Sequence, residues 1–279
     1  MTKSTYISDE EVERFTADGY FVRRALFSSD ETAAMLAAIE SDPLIKRNMF
    51  DRTDSGGLRT RAVQWNYPGS STYGIAARSR RVVGVIETLL GGEVYHWQSK
   101  LTAKEAGEGG AWEWHQDYGY WYIAGCLYPQ MASVMVALDP CVEANGCLQV
   151  MRGSHHLGRI DHVRDAGGQI NADPERIAWA EGRHEKVSCE LQPGDALFFH
   201  CNTLHSSAPN LSQQRRWALL YCYNRASNDP LKRSHNPQYS PLNVIDDADL
   251  CSDKQALKFA DGSEDFQSSY VKKQLEDLA

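Results

Sequence analysis

Residues 93–105, EVYHWQSKLTAKE, are where the periodicity of the chain changes. Alternation by two places His96, Gln98, Lys100 and Thr102 on one face and Tyr95, Trp97, Ser99 and Leu101 on the other, which predicts a strand. Toward the C-terminus, MASVMVAL (131–138), CLQVM (147–151), KVSCEL (186–191), ALFFH (196–200) and RWALLYCYN (216–224) read as further short strands. Turn signals separate them: EAGEGG, then Asn145-Gly146, then Pro193-Gly194-Asp195. Short strands joined in this way predict a mainly β fold with flanking helices, a double-stranded β-helix of jelly-roll, cupin-like type.

Toward the N-terminus the period is helical. Ser8 and Glu11 have the spacing of a capping box opening DEEVERFTADG (9–19), and Gly19 stops it. SSDETAAMLAAIE (28–40) and ARSRRVVGVIETLLGG (77–92) are two further helices, the second closed by Gly91. Residues 40–75 have weak periodicity and are expected to form an irregular lid. The expected organisation is one domain: helices and lid over 1–92, a jelly-roll core over 93–225, and a C-terminal extension over 226–279 with no assigned role.

With 42% hydrophobic residues in 279, the chain can bury a sizeable core. A net charge of −8 argues against a nucleic-acid footprint, because phosphate binding draws on a surplus of Lys and Arg. The expected partner is a small-molecule substrate, with no protein partner. Seven cysteines are an odd number without a Cys-x-x-Cys pair, which points to reduced thiols in a cytoplasm. The start, MTKSTYISDEE, lacks the pattern of a signal peptide, and no apolar stretch is long enough to span a bilayer, so no membrane association is expected.

The chemistry centres on WEWHQDYGYWY (112–122), where His115 and Asp117 sit among six aromatic rings. If WHQDY is extended, the two side chains share a face. Two imidazoles and a carboxylate on one face of an octahedron suit non-heme iron(II). His205 is the strongest candidate for the second imidazole, because it follows QPGDALFFHCNTLHSSAPN (192–210) up to the threshold of a strand that begins with arginine. His200 is its competitor. A guanidinium there can meet the far carboxylate of 2-oxoglutarate through two parallel hydrogen bonds. Arg215 and Arg216 would face opposite ways, so only one can serve.

From about residue 8 to 225 the chain resembles the phytanoyl-CoA dioxygenase superfamily of iron(II)- and 2-oxoglutarate-dependent oxygenases. It is most similar to the small-substrate branch of ectoine hydroxylase-like and aminoalkylphosphonate hydroxylase-like enzymes. The matching pieces, in the family's order, are DGYFVRRALFSSDE, HWQSKLTAK, WHQDY, NGCLQVMRGSHH, GDALFFHCNTLHSSAPN and RRWALLYCYN. The resemblance implies His115, Asp117 and His205 as iron ligands. It implies Arg216, eleven residues after His205, as the arginine for 2-oxoglutarate, with Ser207 beside the same carboxylate. Thr102 stands where relatives use Asn for the co-substrate, and Gln98 and Trp121 match positions that line the pocket. His155 is expected to be structural. Asp117 is a small residue in halogenating relatives, so its presence implies hydroxylation, with O2 as oxidant and 2-oxoglutarate leaving as succinate and CO2.

For the substrate, the aromatic segment, with Tyr118, Tyr120 and Trp121, can hold an ammonium group by cation–π attraction. Arg59 and Arg61, with Asn66 nearby, could clamp a carboxylate or phosphonate. The expectation is hydroxylation of a small ammonium-bearing zwitterion. An aminoalkylphosphonate such as 2-(trimethylammonio)ethylphosphonate is placed ahead of ectoine, an amino acid or an acyl-CoA. A non-catalytic jelly-roll binding protein and a cupin-like isomerase or hydrolase are the competing classes.

Overall fold

The computed structural model describes residues 6–54, 56–164, 170–232, 235–250 and 258–267. The N-terminal part runs α1 (Asp9–Asp18), β1 (Tyr20–Arg23), α2 (Ser29–Ser41), α3 (Pro43–Asn48), β2 (Phe50–Thr53), β3 (Arg59–Trp65), α4 (Thr72–Arg78) and α5 (Arg80–Leu90). The capping box of α1 forms as its spacing predicts, with the Glu11 N–H donating to Ser8 Oγ at 3.2 Å and the Ser8 N–H to Glu11 Oε2 at 2.9 Å. Ser28 and Glu31 repeat the device on α2. Residues 40–75 are not an irregular lid. They fold into α3, the β2–β3 hairpin and the start of α4.

The central part runs β4 (Val94–Lys104), β5 (Trp112–His115), α6 (Asp117–Ile123), β6 (Met131–Ala137), β7 (Leu148–Met151), β8 (His162–Arg164) and β9 (Ile170–Ala172). It continues through α7 (Pro174–Glu181), β10 (Lys186–Cys189), β11 (Ala196–His200), β12 (His205–Ser207) and β13 (Arg216–Arg225). A seven-stranded antiparallel sheet has the order β1-β11-β6-β13-β4-β3-β2, and a four-stranded one the order β10-β7-β12-β5. Leu197, Phe199, Ala218 and Leu220 of the large sheet pack against Leu148, Val150 and Cys189 of the small one. This is the jelly-roll sandwich with helices flanking one side.

Strand parity assigns each residue to a layer. On β13, Leu219, Tyr221 and Tyr223 join the core beneath the helices, while Ala218 and Leu220 face the sandwich interior. Under the helices Phe21 of β1 stacks on Phe198 of β11 with ring centroids 5.0 Å apart. Burying one such ring contributes about 1.5–3 kcal/mol.

One departure from strict alternation matters. The register between β13 and β4 shifts between Cys222 and Tyr223, a bulge that skips Trp97. Gln98, Lys100 and Thr102 keep the predicted face, but His96 turns the other way. Its Nε2 meets Ser99 Oγ at 2.7 Å and its ring meets the edge of Tyr223. Tyr95 and Trp97 enter a cluster with Tyr118, Trp121 and Cys201 instead.

The C-terminal extension closes the helical side. Ile245 bridges to Ser79 and Phe266 to Trp65, and Leu242, Val244 and Phe266 pack on the core. Among the described residues six cysteines are buried free thiols, while Cys251 lies outside them. No helix among the described residues is long and apolar enough to cross a membrane.

Candidate metal centre and active-site cavity

The small sheet builds the centre. β5 and β12 pair antiparallel with His115 opposite His205, which brings two imidazoles from distant parts of the chain to centroids 4.1 Å apart. Asp117 does not lie on the same strand as His115. β5 ends at His115, and Asp117 opens α6. Gln116 between them is extended and still delivers the carboxylate: one ligand atom from each of His115, Asp117 and His205 lies within 4.8 Å of the others. His205 Nε2 is 3.8 Å from Asp117 Oδ1.

Each of the three is oriented by a neighbour. His115 Nδ1–H donates to the Glu113 carbonyl at 2.7 Å, and His205 Nδ1–H to the Thr203 carbonyl at 2.9 Å. A carbonyl can only accept, so the proton is on Nδ1 and the Nε2 lone pair of each ring is free. Burial holds both imidazoles below their ordinary range, for His115 with His205 adding to the effect, so they stay neutral as metal binding requires. Ser133 on β6 donates from Oγ to Asp117 Oδ2 at 2.7 Å, leaving Oδ1 toward the histidines. Such support of metal ligands is the usual partner of a working site. Sequence reading missed Ser133, for which no local signal exists.

His200 stands apart. It ends β11, accepts from the Asn202 N–H at 3.0 Å and packs on Phe15 and His155. His155 is tied to the Thr16 carbonyl at 3.0 Å.

Two chambers share Lys100, Trp112 and His115. The inner one, about 30 Å³, reaches Thr102, Ser207 and Arg216. Arg216 is buried; its Nη2 donates to the Gly146 carbonyl at 2.8 Å and its Nη1 to Thr102 Oγ1 at 3.4 Å. Its Nε has no partner among the described residues. A buried guanidinium edge left open in this way wants an anion. Arg215 faces the opposite side, where it pairs with Glu40 at 2.6 Å and Asp139 at 3.1 Å. The residues therefore fit a carboxylate at Arg216 and a divalent ion at the triad.

The outer chamber, about 100 Å³, is bordered by Asp117, Gln98, Tyr120 and Trp121. Gln98 accepts from Gln64 Nε2 at 2.7 Å. Tyr120 sets its ring edge-on to His115, centroids 5.9 Å apart, and donates from its hydroxyl to the Ile170 carbonyl. Trp121 leans on Trp97.

Four expected substrate residues lie elsewhere. Tyr118 is buried in the aromatic cluster with Tyr95 and Trp97, and its backbone N–H is fastened to the Cys201 carbonyl. Arg59 and Arg61 do share a face, but it is the solvent face: both are exposed and sit 3.8 and 3.9 Å from Asp51. Ala62, one residue on, pairs with Thr102, so the even positions of β3 look into the sandwich and the odd ones toward the helical side, where Val63 and Trp65 are buried in the core and Arg59 and Arg61 stand in solvent. Asn66 is buried away from the cavity, donating to the His235 carbonyl at 2.8 Å and to Asp265 Oδ2 at 2.7 Å, and so anchors the C-terminal extension. The cations that do line the cavity are Arg52 of β2 and Lys100 of β4, 4.0 and 4.7 Å from the ring centre of Trp112. Lys100 shares the predicted face of Gln98 and Thr102, so its signal was in the alternation.

The family model of phytanoyl-CoA dioxygenase (PhyH) matches residues 15–218. The chain belongs to the phytanoyl-CoA dioxygenase family. It is therefore an enzyme of the 2-oxoglutarate-dependent non-heme iron dioxygenase class. Within the phytanoyl-CoA dioxygenase family it is similar to an L-proline trans-4-hydroxylase of Streptomyces griseoviridis, 31% identical over 82% of this chain and 91% of the relative. It is also similar to an ectoine dioxygenase of Stutzerimonas stutzeri, 31% identical over 80% of this chain and 78% of that one. Among solved structures, EctD from S. alaskensis with 2-oxoglutarate and 5-hydroxyectoine superposes with a TM-score of 0.74 at 26% identity, covering 88% of this chain and 90% of that one.

Proposed function

We propose that this member of the phytanoyl-CoA dioxygenase family hydroxylates a C–H bond of a small zwitterion, using iron(II) at His115, Asp117 and His205 and 2-oxoglutarate against Arg216, Ser207 and Thr102. Iron(II) with 2-oxoglutarate supplies the oxidising power, one atom of O2 going to the substrate and one to succinate as CO2 leaves. The chain's residues hold, orient and exclude water. Arg216 offers an unpaired Nε to the far carboxylate. The Nδ1 hydrogen bonds of the two imidazoles keep their lone pairs on the ion, and Ser133 keeps one carboxylate oxygen of Asp117 aimed there.

One observation carries the substrate class. Arg52 and Lys100 bring two positive charges, both over the Trp112 ring, to a cavity that Tyr120 and Trp121 also line. An anionic head lies against the two cations and extends its C–H groups toward the triad. An ammonium end meets the rings that those cations leave uncovered. Gln98, paired with Gln64, offers a further polar contact. A phosphonate uses both cations, which supports an aminoalkylphosphonate. The proline and ectoine hydroxylating relatives support small carboxylate zwitterions, among them ectoine and an imino acid. Succinate release and the gain of one oxygen atom are measured for ectoine, L-proline, 2-(trimethylammonio)ethylphosphonate and an acyl-CoA. Turnover of at least one zwitterion is expected. Turnover of the acyl-CoA alone would discard the reading.

A further inference from the structure

Behind the inner chamber stands a lysine that metal binding does not use. Lys104, the last residue of β4, is completely buried. Asn210 Nδ2 donates to its carbonyl at 3.3 Å, and Gly109 packs so close that an added Cβ there would come within 2.6 Å of Lys104 Cβ. The Lys104 Nζ is directed at one short piece of chain. Nζ donates to Ser207 Oγ at 2.8 Å, to the Ser207 carbonyl at 3.3 Å and to the Ala208 carbonyl.

Neither Lys104 nor the buried Arg216 has a carboxylate within ion-pair distance among the described residues. Of the charged groups acting on Lys104, Arg216 repels it, and Asp54 is the one acid, itself engaged by the N–H groups of Leu58 and Ala111. Two neighbouring buried cations without counter-ions are costly unless an anion joins them. The geometry also fixes a hydrogen in the charged state: once Lys104 is an ammonium it has no lone pair, so Ser207 Oγ must accept from it, and the hydroxyl's own hydrogen is left to donate into the chamber that Arg216 lines.

We propose that Lys104 is a positioning residue for the anionic end of the co-substrate: through Ser207 it aims a hydroxyl hydrogen at that carboxylate and backs it with a second buried positive charge. The proposal rests on the reading of the inner chamber as the 2-oxoglutarate site. Burial, with Arg216 adding to it, pushes the Lys104 ammonium down to about 6, so an arriving carboxylate draws a proton back onto it at neutral pH.

The test uses zinc-loaded full-length protein, which binds without turnover, and calorimetric titration with 2-oxoglutarate. Lys104→Met is expected to weaken 2-oxoglutarate binding about ten- to hundred-fold. Binding of 2-oxobutanoate, which lacks the distal carboxylate, changes far less, and Lys104→Arg recovers part of the loss. A Lys104→Met protein that melts like the wild type and binds 2-oxoglutarate as tightly overturns the proposal. Should that variant not fold, Lys104→Gln decides: a loss of affinity confined to 2-oxoglutarate, with 2-oxobutanoate binding kept, supports it, and wild-type affinity for 2-oxoglutarate overturns it. A wild-type protein that binds no 2-oxoglutarate would instead remove the reading of the chamber itself.

Discussion

Ser133 and Arg52 show how much of the site depends on single side chains far from its motif. Ser133 touches no expected ligand atom of the metal, yet its hydroxyl holds Asp117 Oδ2 at 2.7 Å. Ser133→Ala is expected to weaken metal affinity about ten- to hundred-fold with little change in fold, measured by competition with a chelator. Loss of binding no greater than twofold would show that α6 alone places the carboxylate. Arg52 and Arg59 lie on neighbouring strands of one hairpin but on opposite faces, one lining the cavity and one in solvent. Arg52→Met should raise the substrate KM about tenfold or more, as loss of a charged hydrogen bond does, while Arg59→Met and Arg61→Met leave it unchanged. The reverse pattern would place the anionic head on the outside of the hairpin.

At the scale of elements, α6 decides how Asp117 reaches the centre. The run WHQDYGYWYI is ambiguous in sequence, because consecutive rings satisfy both a period of two and a period near four. Packing resolves it: Tyr118 and Trp121, three apart, are buried while Tyr122 and Ile123 remain exposed. The helix also needs a residue without a side chain at 119, since an added Cβ would come within 2.0 Å of the His162 imidazole. That ring is held on both sides, accepting from the Gln116 N–H at 3.1 Å and donating to the Ile160 carbonyl at 3.0 Å, so it cannot yield freely. Gly119→Ala is expected to destabilise the fold by about 1–3 kcal/mol and to lower metal affinity together with it, by denaturant unfolding and metal titration. An alanine variant with wild-type stability would mean that His162 moves at no cost. The bulge beyond Gln98 is the other element-level surprise. No residue in HWQSK announces it, because it arises where β13 and β4 must curve together.

For the whole molecule, stability should follow the buried neutral histidines. Burial pushes His96 down to about 4, and burial together with His155 and His156 does the same to His200. Unfolded histidine titrates near 6.5, so below that pH the unfolded chain binds protons the folded one refuses. Their contribution is thus fully present above pH 6.5 and is lost as pH falls through about 4. The denaturation midpoint should be flat from pH 7 to 8 and decline from 6.5 downward; a midpoint that rises on acidification would contradict this. The family resemblance implied Arg216 rather than Arg215 for the co-substrate; the sequence by itself determined the strand and helix periods, His115, Asp117 and His205 as candidates for the metal, and the shared face of Gln98, Lys100 and Thr102. These are local properties, carried by spacing. Which face of the β2–β3 hairpin looks inward, the helical turn at Asp117 and the meeting of His115 with His205 were decided only by the tertiary structure. Each depends on pairing between segments distant along the chain, and parity says that two residues lie on one side of a strand without saying which side is buried.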